Sequence, residues 1–349
     1  MTQPQPRISG AHLVGSINAP DTESAFRLAA LAGECLHAMP DGETGERFHW
    51  IMFQGARLDQ VEGLERIGPE PLLLAGMDAR PFGLVAGTDP ATLQLPPLGY
   101  AEAAIRSYPL FRRLKSEGVI PEHVRFQVSL PTPVATVTTF IRPQDRAALE
   151  GPYEAALLRE LEQILAAVPA EELTVQWDMA LEFALLEQVV MFGNRMETWF
   201  DEPLAGLVER AARVGDAVPA GVAMGYHLCY GDVAEKHFKE PEDTAVLVDV
   251  ANGLFERVGR TVDFLHLPVP IERDDEAYFA PLAELRLPSG TELYLGLLHR
   301  EDGLEGAQRR IRAAGTVLDS FGVATECGMG RSPRESMADL FELHAEVCG

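Results

Sequence analysis

Short apolar runs that end in polar, glycine-containing turns recur along the chain: "AHLVGS" (11–16), "ECLHAMPDGE" (34–43), "VRFQVSLPTP" (124–133), "LTVQWD" (173–178), "GVAMGYHLC" (221–229), "TVDFLHLP" (261–268), "ELYLGLLH" (292–299) and "FGVATECG" (321–328). Apolar runs this short, bounded by turn residues, read as buried strands. Most are followed by segments with apolar residues every three to four positions, such as "DTESAFRLAALAG", "YEAALLRELEQILAAV", "PLAGLVERAARVG", "DTAVLVDVANGLFERVG" and "GLEGAQRRIRAAGTVLDSF". That period predicts helices with one face on a core. Alternating strands and helices pair in parallel through right-handed crossovers, and eight units predict an α/β fold, a single (β/α)8 TIM barrel over residues 1–349. The stretch "PEPLLLAGMDARPFGLVAGTDPATLQLPPLGYAEAA" (69–104) breaks the pattern with Pro and Gly. It reads as a hairpin or lid inserted between strands 2 and 3.

In such barrels the chemistry sits where the strands end, on the loops of the C-terminal face. The first run ends on Gly15-Ser16, the second reaches Asp41-Gly42-Glu43, and the fourth ends on Asp178. The fifth ends on His227 and Cys229, the seventh on His299, and the eighth on Glu326-Cys327. Residues i and i+2 of a strand share a face, so His227 and Cys229 can reach one point. By themselves the two are more often a satisfied core pair than half of a metal site. Cys327 lies far outside zinc-finger spacing from Cys229 and joins it only if the fold brings both strand ends to one rim. Two thiolates and an imidazole form a soft set suited to Zn²⁺, with a fourth position free.

Composition narrows the partners. Against 29 Lys and Arg stand 53 Asp and Glu, a net charge of −24 that repels phosphate backbones and anionic lipid. Nucleic acid and membrane are therefore not expected as partners. No apolar run has the length of a spanning helix and "MTQPQPRISG" lacks a secretion signal's apolar segment, so the expected location is cytoplasmic. The four cysteines are too few and scattered for a disulfide framework, and Cys35 and Cys348 read as structural bystanders.

The motifs together resemble the C-terminal catalytic barrel of cobalamin-independent methionine synthases and their relatives, which share a fold with uroporphyrinogen decarboxylase. "LVGSINAPDTESAFR" is similar to the opening "IGS" strand of that family, "MPDGETGERFHWIMF" to its "HGE" segment and "SLPTP" to its "TGP" turn. "QWDMALEF" resembles its "DEP" segment, "GYHLCYGD" its "HxC" zinc motif, "LLHREDGLEG" its catalytic histidine strand, and "ECGMGR" its "DCG" strand. The resemblance runs over most of the chain. It implies zinc bound by His227, Cys229 and Cys327. It also implies that Ser16, Glu43 and Asp178 hold the carboxylate and amine of an amino-acid thiol, and that His299 is the acid/base histidine. The implied activity is zinc-dependent transfer of a methyl or other alkyl group to a small-molecule thiol held as a zinc thiolate, from a donor such as a folate or corrinoid.

The residues also depart from that pattern. The sixth strand places Leu267 and Pro268 where the family has a glutamate ligand, which leaves His266, Glu326 or water for the fourth position. "DEP" is reduced to Asp178-Met179-Ala180, and no folate-binding N-terminal half precedes the barrel. Blander readings stand beside the functional ones: Ser16 and Asp178 as helix caps and Glu43 as a solvated loop acid. Two alternatives follow, a metal-free lyase or decarboxylase on the same barrel and a barrel that binds zinc or a thiol without turnover. The oligomeric state is left open.

Overall fold

A computed structural model describes residues 5–191, 193–232 and 236–349. Eight parallel strands form one curled sheet: β1 (Arg7–His12), β2 (Ala38–Pro40), β3 (Arg125–Pro131), β4 (Leu173–Met179), β5 (Ala223–Leu228), β6 (Phe264–Pro268), β7 (Glu292–Leu298) and β8 (Ser320–Thr325). Their hydrogen-bonded order is β1-β8-β7-β6-β5-β4-β3-β2. β1 and β2 meet through isolated parallel bridges, Ala11 with Leu36 and Ser16 with Gly42, so the sheet curls to a TIM-like barrel whose seam lies there. The outer layer includes α1 (Thr22–Ala29), α2 (Tyr100–Ser116), α3 (Arg146–Ala167), α4 (Pro203–Asp216), α5 (Ala245–Arg257), α6 (Gly303–Ala314) and α7 (Met337–Cys348).

The strand sequences show why the sheet is buried on both faces. All of β4 is buried. Its alternate residues Val175, Trp177 and Met179 join the main hydrophobic core, while Gln176 meets His12 of β1 and the Val14 carbonyl and Asp178 meets Trp50. The amide nitrogen of Gln127 on β3 donates to the Leu13 carbonyl at 2.8 Å, and that of Gln176 to Val14 at 2.7 Å. Side chains of β3 and β4 thus satisfy carbonyls just past β1 that a continuous β1–β2 ladder would have used. His12, against the Gln176 carbonyl oxygen at 2.7 Å, is pushed by burial down to about 3 and is neutral.

Two boundaries differ from the pattern-based reading. The regular part of the first strand is Arg7–His12 rather than 11–16; the chain beyond it stays extended to the bridges at Ser16 and Ile17. α3 starts at Arg146 rather than 153 and runs through Pro152. Its first turns are held by tertiary contacts: the Arg146 guanidinium donates to the Thr138 and Ile141 carbonyls, and Leu149 is buried. Packing overrides the breaker signal of Gly151-Pro152. The insertion between β2 and β3 does contain a hairpin. Leu64–Arg66 pairs antiparallel with Phe82–Leu84, and Leu73–Leu74 with Met77–Asp78. It is tied to the chain after β3 by the Phe82–Ile141 bridge and by the Leu84 N–H on Asp145.

Candidate metal centre

β5 carries His227 inward, and the chain just past its end continues the ladder, with the Cys229 N–H on the Met179 carbonyl at 2.9 Å. β8 delivers Cys327 two residues past Thr325. The Cys229 and Cys327 sulfurs are 3.5 Å apart, Cys327 Sγ is 3.8 Å from His227 Nε2, and all three donor atoms lie within 4.8 Å of one another. Tetrahedral zinc, with Zn–S of about 2.3 Å and Zn–N of about 2.0 Å, spans donors about 3.5–3.8 Å apart. Donor type and spacing therefore fit such an ion.

The hydrogen bonds fix which imidazole nitrogen is free. His266 Nε2 lies 3.0 Å from the Thr325 carbonyl, which can only accept, so Nε2 carries a proton. Burial holds His266 well below the usual histidine range, so its Nδ1 is a lone pair. His227 Nδ1 is 2.7 Å from that atom and must donate to it, which leaves the His227 Nε2 lone pair aimed at the two thiols.

The thiols are polarised as well as gathered. The hydrogen bond from Cys229 holds Cys327 well below the usual thiol range against the effect of burial, and the Arg331 guanidinium acts in the same direction. Cys229 is pushed up correspondingly. Arg331 Nη2 lies 3.8 Å from Cys327 Sγ, and Asp232 accepts from its Nε at 2.8 Å; the Gly231 N–H points at Cys229 Sγ, 3.2 Å away.

The other expected residues fall around this cluster in different ways. Ser16 is buried against the glycines that flank Met329: its Oγ accepts from the Gly330 N–H at 3.2 Å, and a Cβ on Gly328 would come within 2.3 Å of it. It does not cap α1, because Asp21 does so through the Ser24 N–H at 2.8 Å. Glu43 is half-buried, with left-handed backbone at φ 49°, and its carboxylate lies against Gly15. Burial pushes it up to about 7, with Asp41 and Cys327 adding to the effect and Arg47 and Arg331 opposing it. Asp178 is buried and accepts from Trp50 Nε1 at 3.1 Å and Gln176 Nε2 at 2.8 Å; burial, then the nearby Glu43 carboxylate, raises it well above the carboxylate range. Asp178 caps no helix, since Leu181–Leu186 follows Ala180 without a side-chain cap.

His299 stands outside the three-donor cluster. Its Nε2 donates to the Val269 carbonyl at 2.9 Å, and burial, with Arg310 adding, pushes it down to about 4. It is a neutral imidazole with Nδ1 as its lone pair. Of the three expected sources of a fourth ligand, His266 has both nitrogens engaged and supports His227 instead. Glu326 Oε1 lies 3.2 Å from His237 Nε2, and among the described residues no further His, Cys, Asp or Glu joins the cluster.

Two neighbours were not singled out from the sequence. Trp50 holds Asp178 from a strained backbone, φ 53°, within a 3₁₀ segment, and packs with Met191, Met196, Phe238 and Cys327 against the small apolar cluster containing Cys229. Arg331 lies at the end of the quoted "ECGMGR", and its charge next to the Gly-x-Gly turn was the available signal.

No protein-family model and no curated protein sequence matches the chain. Solved structures do. A provisionally assigned vitamin-B12-independent methionine synthase from Listeria monocytogenes superposes with a TM-score of 0.54 at 15% identity, covering 99% of this chain and 100% of that one. This chain has that protein's fold. A methyltransferase from Methanosarcina mazei aligns over 99% of this chain and 95% of its own, at 12% identity and a TM-score of 0.49. Among the described residues no helix is long and apolar enough to cross a membrane.

Proposed function

We propose that the protein is a zinc-dependent transferase that moves a methyl or other alkyl group onto the sulfur of a small-molecule thiol. The observation that carries this reading is the convergence of His227 Nε2 with the Cys229 and Cys327 sulfurs, the imidazole already in its ligating tautomer. Zinc bound there supplies a Lewis acid that keeps a substrate thiol ionised at neutral pH. Two cysteine ligands offset the ion's charge and leave that sulfur electron-rich, which favours alkylation over hydrolysis. His227, Cys229 and Cys327 are the ligands in this reading, and the fourth position is left to water or the thiol.

The surrounding residues bind and orient. Glu43 and Asp178, two acids near one another beside Trp50, receive the ammonium of the thiol substrate, and Ser16 with the Met329 turn receives its carboxylate. Trp50, Met191, Met196 and Phe238 form the apolar side that excludes water and accepts the alkyl donor. His299 Nδ1, its Nε2 being committed to Val269, holds the proton released when the thiol ionises and returns it to the donor's leaving atom as the carbon is transferred. A donor of the folate or corrinoid class fits this chemistry, and reduced thiols fit the expected cytoplasmic location.

Zinc per chain, measured on protein purified without added metal, tests the reading. About one zinc in the wild type and much less in Cys327→Ser is expected. A folded wild type without zinc after reconstitution under reducing conditions overturns it in favour of a metal-free lyase. Zinc without consumption of any thiol across a panel of alkyl donors favours a binding protein.

A further inference from the structure

The face of the barrel opposite the metal centre carries a second pair of thiols. Cys35 closes the 3₁₀ segment Ala30–Cys35, which leads into Leu36 and the bridge to Ala11 of β1. Cys348 ends α7, the helix that follows β8. Cys35 Sγ lies 2.9 Å from the Ala32 carbonyl and 3.9 Å from that of His344, one turn before Cys348 in α7, which brings the two thiols into one neighbourhood. Both are half-buried and unbridged in the structure. The positions 313 residues apart in the chain are therefore neighbours in space.

Their place in the sheet gives the pair a consequence. In the closed order β1 sits between β8 and β2; it has a ladder to β8 but meets β2 through isolated bridges. Cys35 belongs to the β2 side of that seam and Cys348 to the β8 side. We propose that Cys35 and Cys348 form a reversible disulfide, made by exchange with a small disulfide of the glutathione class, that staples the barrel across the β1 seam. The Cys35 thiolate attacks one sulfur of the small disulfide, forming a mixed disulfide and expelling one small thiolate. Cys348 then attacks the Cys35 sulfur, the protein S–S bond forms, and the second small thiolate leaves. The two cysteine protons end on the two released small thiols, so the small disulfide is reduced as the pair is oxidised. Cys35 suits the attacking role, since the neighbouring Cys348 thiol holds it below the usual thiol range while Cys348 is raised.

The test is incubation of the full-length protein with oxidised glutathione, followed by non-reducing peptide mapping and thermal melting. The expected result is a crosslinked peptide pair containing Cys35 and Cys348, with a melting temperature higher by roughly 5 °C and restored by dithiothreitol. Cys348→Ser, near the chain end, should stop at glutathione on Cys35 and show no such rise. Free thiols or separate glutathione adducts at both positions in the wild type would overturn the proposal, whatever happens at Cys229 and Cys327.

Discussion

His227 Nδ1 lies 2.7 Å from His266 Nδ1 on the neighbouring strand, at a position directly across the β5–β6 ladder. Because His266 is itself pinned to the Thr325 carbonyl of β8, the strand that delivers Cys327, one hydrogen-bond chain links the His227 imidazole to the strand of the distant thiol. In the proposed metal site the sixth strand thus contributes the group that orients a ligand, and not a ligand itself.

Substituting His266 should therefore weaken the metal without unmaking the fold. Replacing the orienting partner of a ligating histidine typically lowers metal affinity by about 10- to 100-fold. His266→Phe is expected to show that loss in a chelator competition, and His266→Gln, which keeps an acceptor for His227, should recover part of it. Unchanged affinity in both would mean that the His227 tautomer is set by the metal and not by its neighbour.

Much of this arrangement is visible in the chain before folding. The eight apolar runs fall on the eight strands, and the i, i+2 spacing of His227 and Cys229 carries them to one face because strand geometry is local. Cys327 can be attached to them only through closure of the barrel, which alternation of strands and helices predicts. What stays hidden depends on long-range contacts or on backbone strain. The positive φ of Trp50 has no composition signature, and the hydrogen bond from His266 to Thr325 links residues on strands that are not neighbours. Cys35 and Cys348 sit in unremarkable helical contexts and meet because the last helix packs against the segment leading to β2.

Gly225 couples the fold to the site. It lies two residues before His227 on β5, and a Cβ there would come within 2.3 Å of the Phe264 carbonyl on β6. Backbone cannot yield as a side chain can, so β5 and β6 must separate. Gly225→Ala is expected to cost about 1–3 kcal/mol in denaturant unfolding. It should also lower zinc content, because His227 and His266 face each other across that same ladder. A stability loss with full zinc content would show that the shift is absorbed before it reaches the site.

Acid should destabilise the protein through its buried neutral histidines. His344, wholly buried in α7 with Nδ1 donating to the Leu340 carbonyl at 2.7 Å, is pushed by burial from 6.5 to about 4. The unfolded chain binds the proton first as pH falls, so the stability attached to neutral His344 is complete above 6.5 and is lost progressively between 6.5 and 4. The loss from this group is on the order of 3 kcal/mol. His344→Leu, which cannot titrate, should have a flatter melting temperature against pH in that window. Parallel wild-type and variant curves would place the acid sensitivity elsewhere.

Asp178 separates recognition of the thiol's amine from binding of the metal. It lies beside Trp50 and Gln176 and outside the three-donor cluster, so Asp178→Asn should leave zinc content unchanged. The change removes a buried carboxyl whose two oxygens each accept one N–H; the amide keeps one of the bonds from Trp50 and Gln176 and turns its NH2 to the other donor. In calorimetric titration of the zinc-loaded protein, cysteamine presents both a sulfur and an ammonium, whereas 2-mercaptoethanol presents the sulfur with a neutral hydroxyl. A bound ammonium favours the ionised Asp178 that burial disfavours in the free protein, and a charge-assisted hydrogen bond contributes about 1.5–3 kcal/mol, so the variant should bind cysteamine roughly 10- to 100-fold more weakly while its affinity for 2-mercaptoethanol holds. Equal losses for both ligands would mean that Asp178 shapes the pocket through Trp50 and does not meet the amine, and the ammonium would then have to be sought at Glu43.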